Sequence, residues 1–230
     1  MLYKNFPAKL VKKQIMHGFT LAEVLITLVI IGVIAALTVP SLIHNSNKQE
    51  TLTGIKKAYS VLQQSLFKIN ENNGYSAGDY SYLANDTSTF IDEFTKVVST
   101  AKKGDNFDNY ECLNSDGDYK YSGNGYKYII TADGIKYAAM KRHNMTIYGL
   151  SEEDQANALV VIIADINGEK KPNKYGDDTF FFYLVNKKGI VPAGSSFSTD
   201  CQRGDRGFSC GGKFLRENAV IYDPFQERVE

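Results

Sequence analysis

The chain has 230 residues, 43% of them apolar and 23% charged, which suits one folded head plus an extended element and excludes global disorder. Its 26 basic and 26 acidic residues cancel, but Lys4, Lys9, Lys12 and Lys13 all fall in the first 18 residues, where there is no Asp or Glu. Without those four lysines, 22 basic residues face 26 acidic ones, so the remainder offers no bulk electrostatic case for binding nucleic acid.

From Phe19 to Ile43 the sequence FTLAEVLITLVIIGVIAALTVPSLI holds a single ionisable side chain, Glu23. At about 1.5 Å per residue, a helix of this length crosses a hydrocarbon core of roughly 30 Å. The lysines ahead of it predict a cytoplasmic N-terminus and export of everything after Ile43. A carboxylate near the end of such a helix costs on the order of 1 to 3 kcal/mol unless it is partnered. Cleavage between Gly18 and Phe19 would create an α-amine one helical turn from Glu23, and the same amine on a neighbouring copy reaches it equally well. Pairing of this kind makes Glu23 a register device, because a shift of one subunit leaves a charge unpaired in an apolar bundle.

The run GFTLAEVLITLVIIGVIAALTVP resembles the N-terminal signature of type IV pilins and of the pseudopilins of type II secretion and DNA-uptake machines. The resemblance runs from Gly18 to about Ile43. It implies that a prepilin peptidase cuts after Gly18 and methylates the new N-terminal Phe19. It also implies that Glu23 serves subunit recruitment and that Pro40 stands where many members have a helix-bending proline. Two readings compete. An ordinary secretory signal peptide cut near Val33-Ile34-Ala35 leaves the long hydrophilic lead-in and Glu23 without a role. A plain single-pass anchor requires neither the Gly-Phe junction nor the glutamate.

Beyond the apolar stretch, Leu52, Ile55, Tyr59, Leu62, Leu66 and Ile69 are spaced three and four apart, one apolar stripe of a continuing helix. Asn72-Asn73-Gly74 supplies its stop. The stripe is too short for a free coiled coil and predicts the face on which a head docks. The expected divisions are a basic leader over 1–18, a membrane and filament-core helix over 19–43, its amphipathic continuation over 44–73 and a head over 74–230.

In the head, residues 72–88 read as a loop and Thr89 to Lys103 as a short helix with Phe90, Ile91, Phe94, Val97 and Val98 on one side. Residues 104–125 again read as a loop, with turn signals at Asp116-Gly117 and Asn124-Gly125. Strands are expected at 126–131, 135–141, 159–166 and 179–185, the first two forming a hairpin through Ala132-Asp133-Gly134. A long helix followed by a small antiparallel sheet is an α+β fold, with the sheet against the amphipathic half of the helix. The pilin resemblance implies the same architecture. The 15 Tyr and 13 Phe suit a β-rich head and equally an ordinary core.

Residues 165–178 concentrate oxygen donors between two apolar strands. Asp165, Asn167, Asp177 and Asp178 are candidate calcium ligands, weighed against a hydrogen-bonded strand connection. The three cysteines are too few for a disulfide framework and lack zinc-site spacing. In an exported head Cys201 and Cys210 are a candidate disulfide, with Cys112 left over and the segment after Pro192 expected at the surface. The histidines, His17, His44 and His143, form no cluster, and no hydrolase, metalloprotease or phosphate-loop motif is present, so no catalysis is expected. The partners expected are prepilin peptidase, copies of this chain or other pilin-like subunits, inner-membrane assembly machinery and, before assembly, lipid. A minor pilin whose head binds DNA, a surface or a secreted cargo is the alternative function.

Overall fold

The computed structural model describes residues 18–74, 78–107, 110–111, 120–121, 126–142, 146–171, 173–197, 201 and 205–218. Cys112, both turn signals in 104–125, His17, His143 and the lysine-bearing leader lie outside them. The chain divides into a unit ending at Ile43 and a unit beginning at His44. The first helix, α1, spans Leu21–Asn73 and contributes to both. It ends where Gly74 adopts φ +66°, a left-handed conformation open to glycine at no steric cost.

Within the first unit the helix is apolar on every side, and Leu21, Leu25, Ile26, Leu28, Val29 and Ile31 are all exposed. Its two threonine hydroxyls bond the helix's own carbonyls, Thr27 to Val24 at 2.9 Å and Thr38 to Ile34 at 2.9 Å, so neither leaves a donor facing outward. This is the one described helix long and apolar enough to cross a membrane. Pro40 lies inside it, where it removes one backbone donor.

The second unit continues with a 3₁₀ turn at Ser81–Ala84 and helix α2 at Thr89–Val97. Then come β1 Thr100–Gly104, β2 Tyr110–Glu111, β3 Lys120–Tyr121, β4 Tyr128–Thr131 and β5 Lys136–Lys141. Helix α3 Glu152–Ala156, β6 Ala158–Asp165, β7 Thr179–Val185, β8 Gly189–Pro192 and α4 Cys210–Glu217 complete it. Six strands pair antiparallel in the order β1-β4-β5-β6-β7-β8, and β2 and β3 form a separate ribbon. The chain is therefore α+β, a long N-terminal helix followed by an antiparallel sheet.

The amphipathic stripe of α1 covers one sheet face. Leu52, Ile55, Leu62, Leu66 and Ile69 are buried with Tyr137, Ile162, Phe180, Phe182 and Leu184. Tyr59 stacks on Phe182 at 6.2 Å between ring centroids, and Phe94 of α2 meets Tyr137 edge-on at 5.2 Å. Gly54 sets the helix-to-loop spacing, since a Cβ there would lie 2.7 Å from Ile166 Cδ1. The opposite face is covered too. Ala138, Met140, Val161, Ile163, Phe181 and Tyr183 pack beneath loop residues including Phe107, Ile147, Tyr175 and Phe208. Burial on both faces explains why β6 and β7 are nearly continuous apolar runs rather than alternating ones.

One expectation is corrected and another refined. The helix from Thr89 stops at Val97, Val98 is extended, and residues 100–104 form edge strand β1 paired with β4. The β-branched run Val97-Val98 fits the helical stripe and begins a strand equally well, and pairing with β4 decides between them. The described residues after Pro192 divide: Ser196 and Phe197 are exposed, as expected, whereas Ala193, Cys201, Phe208 and Cys210 are buried. Here α4 meets the chain backbone to backbone. The Gly212 N–H donates to Ala193 O at 2.7 Å, and a Cβ at Gly212 would lie 2.4 Å from the Ser195 nitrogen.

Candidate functional site at the start of the N-terminal helix

Gly18, Phe19 and Thr20 precede the first helical residue, Leu21, and all three are exposed, Phe19 at 89%. Among the described residues, no atom of another segment lies within 4 Å of where a Cβ on Gly18 would sit. The Gly18-Phe19 peptide bond thus stands in exposed, non-helical backbone.

The next residues build a capping box. Thr20 O accepts the first intrahelical bond, from the Val24 N–H at 3.2 Å, which makes Thr20 the N-cap. Its Oγ1 accepts the Glu23 N–H at 3.2 Å. In return, Glu23 Oε2 accepts the Thr20 backbone N–H at 2.8 Å and the Thr20 hydroxyl at 2.7 Å. Two donors that a helix start leaves without partners are satisfied reciprocally, and the carboxylate is brought to the positive end of the helix dipole. Thr20 is absent from the residues that sequence reasoning singled out, although Thr-x-x-Glu ahead of an apolar run is the signal that names it. Pro40 lies five turns further along the same helix at about 3.6 residues per turn and has no contact with this cluster.

The oxygen-rich segment between β6 and β7 forms a second cluster. Asp165 Oδ1 accepts the backbone N–H groups of Asn167 at 3.1 Å and Gly168 at 3.0 Å. Asp178 accepts four hydrogen bonds: from Asn167 Nδ2 at 3.1 Å, Asn173 N at 2.8 Å, Lys174 N at 2.7 Å and the Thr179 hydroxyl at 3.1 Å. Burial pushes the Asp178 carboxyl above its ordinary range, against those hydrogen bonds, which pull it down. The structure brings Asp165, Asn167 and Asp178 into one network. Asp177, together with Asn167 and Asp178, also lines a cleft of about 610 Å³ with Glu50, Gly54 and Lys57 of α1. The carboxamide oxygens of Asn167 and Asn173 are buried and accept no hydrogen bond among the described residues. Among those residues, no three His, Cys, Asp or Glu side chains gather into a metal-holding group.

Lys57 Nζ lies 2.9 Å from Asp133 Oδ2 at the rim of the cleft. Burial opposes ionisation of Asp133, but the Thr131 hydroxyl and Lys57 outweigh it and hold the carboxyl below its ordinary range. Cys201 and Cys210 form a disulfide with Cα atoms 5.0 Å apart, and it ties the chain after β8 to the start of α4.

Comparison of the whole chain with curated proteins and with solved structures gives no match. Residues 15–39, which contain the Gly18-Phe19 junction, the Thr20-Glu23 capping box and most of the apolar helix, match the prokaryotic N-terminal methylation motif, and the chain thereby carries the signature of type IV pilins and pseudopilins.

Proposed function

We propose that the protein is a structural subunit of a type IV pilus or of a pseudopilus of the type II secretion or DNA-uptake kind. The observation that carries this reading is the conjunction, in one short segment, of an exposed Gly18-Phe19 junction, a helix apolar on every side and one carboxylate, Glu23, at its start. In this reading a prepilin peptidase cuts after Gly18 and methylates Phe19. The chain waits in the inner membrane with a cytoplasmic N-terminus and an exported head, held by lipid around residues 19–43. Inner-membrane machinery then transfers the helix into a filament core made of copies of this chain or of related subunits, in the periplasm or outside the cell. Burial of an apolar helix against others replaces lipid contacts, and pairing of Glu23 with a neighbour's Phe19 amine fixes the register. Pro40 bends the helix within that core.

The test is intact-mass and N-terminal peptide mass spectrometry on protein recovered from membrane and surface fractions. A chain beginning at methylated Phe19 is expected. A start near Ala36, or an intact Met1, overturns the reading.

We also propose calcium as a ligand of the segment around Asn167 and Asp177, on the strength of the two buried carboxamide oxygens. Millimolar calcium should then raise the thermal midpoint of the head by several degrees, roughly what 1 to 2 kcal/mol of binding supplies in a protein of this size. An unchanged midpoint leaves the segment as a hydrogen-bonded clasp.

A further inference from the structure

We propose that Thr20 is the positioning residue for Glu23: it holds one carboxylate oxygen on its own helix, so that the other is presented to the α-ammonium group of a second copy. The inference rests on the filament reading above. Both Thr20 donors converge on Oε2, the backbone N–H at 2.8 Å and the hydroxyl at 2.7 Å, while Oε1 accepts no hydrogen bond from a described residue. The hydroxyl works in both directions, since its oxygen also accepts the Glu23 N–H at 3.2 Å.

This geometry has a mechanical result. An unrestrained glutamate on an apolar helix samples several rotamers and surrenders that freedom when it pairs. The capping box has already fixed the side chain, folded back over the helix start, so pairing with an incoming ammonium orders little more of it. It also divides the carboxylate's capacity. An ionised carboxylate has about four acceptor sites to fill once water is gone, more than one ammonium has donors. Thr20 supplies two of those donors from within the subunit and leaves the remaining oxygen for the partner. Discrimination follows, because the site accepts a compact cation that reaches Oε1 at the level of residue 20.

The experiment uses the full chain in cells that cleave and assemble it. It compares the fraction recovered in sheared filaments for wild type, Thr20→Val, Thr20→Ser, Glu23→Gln and the Thr20→Val, Glu23→Gln pair, with N-terminal mass checked for each. Thr20→Val keeps the backbone donor and the side-chain shape but loses the hydroxyl, and should lower the filament fraction about five- to tenfold, as loss of a cap of this kind does. Thr20→Ser should restore it to within about twofold, because serine caps as well as threonine. In the pair, Thr20→Val should add nothing to the loss caused by Glu23→Gln, because both act through one interaction. Wild-type assembly by Thr20→Val, multiplication of the two losses in the pair, or failure of Thr20→Val to be cleaved each overturns the proposal, the last by placing Thr20 in peptidase recognition. If wild type itself is never cut after Gly18 or never enters a filament, the filament reading falls and takes this one with it.

Discussion

Asp178 shows how much a single side chain contributes to the connection between β6 and β7. Four donors end on its two oxygens, two of them backbone N–H groups of the half-buried residues 173 and 174. Asparagine keeps the shape but offers one acceptor oxygen and turns an amide group toward donors. Asp178→Asn should therefore cost about 2 to 3 kcal/mol, measured by chemical denaturation of the full chain in detergent. The pH dependence has a definite sign. Because burial raises the carboxyl above its ordinary range, the folded state binds the proton more tightly than the unfolded chain does. The stability associated with this proton is fully present below the ordinary carboxylate range and is lost as pH rises through the raised value, and Asp178→Asn should remove that slope. The acidic residues of 165–178 were legible as a cluster. A hydrogen-bonded connection was among the readings, but which amides it would bind was not legible, because that depends on the path the loop takes between β6 and β7.

At the scale of elements, legibility follows the length of the apolar pattern. The stripe from Leu52 to Ile69 recurs over five turns, and the structure buries Leu52, Ile55, Leu62, Leu66 and Ile69 against the sheet, with Tyr59 half-buried beside them. Leu62 is fully buried, so Leu62→Ala should destabilise the head by about 2 to 5 kcal/mol, read from the shift in denaturation midpoint at unchanged slope. The central strands β6 and β7 were equally plain from their apolar runs. Elements that depend on distant partners were not. Strand β8 has four residues and ends in a proline, and it is a strand because β7 pairs with it. Helix α4 contains Gly211 and Gly212, poor helix formers, and glycine is needed at 212 because the backbone of 193–195 lies against it. The N-terminal helix and the prominence of Glu23 were readable, but the capping role of Glu23 and its partner Thr20 were not noticed.

For the whole molecule, the disulfide is the covalent tie that keeps the last described helix on the sheet. Cys201 and Cys210 are both buried, and Phe214 of α4 packs with Phe180 at 6.3 Å between centroids. Replacing both cysteines by alanine should cost roughly 2 to 3 kcal/mol in the chain-entropy picture, and the loss should match that of the wild-type protein unfolded under reducing conditions. The sheet buried on both faces has a separate consequence for the chain before its head folds. Residues 179–185, Thr-Phe-Phe-Phe-Tyr-Leu-Val, carry no charge and no proline, and residues 159–164 are uniformly apolar. In an unfolded chain these are the segments that stack into intermolecular β-structure. The folded head places them at the centre of the sheet, between β5 and β8, while lysine-bearing β1 occupies an outer edge. Asp177 and Asp178 on one side and Lys187 and Lys188 on the other flank the worst of these runs with charge. Those four residues therefore act as gatekeepers in the unfolded chain, protecting it from self-aggregation in the interval before the sheet closes.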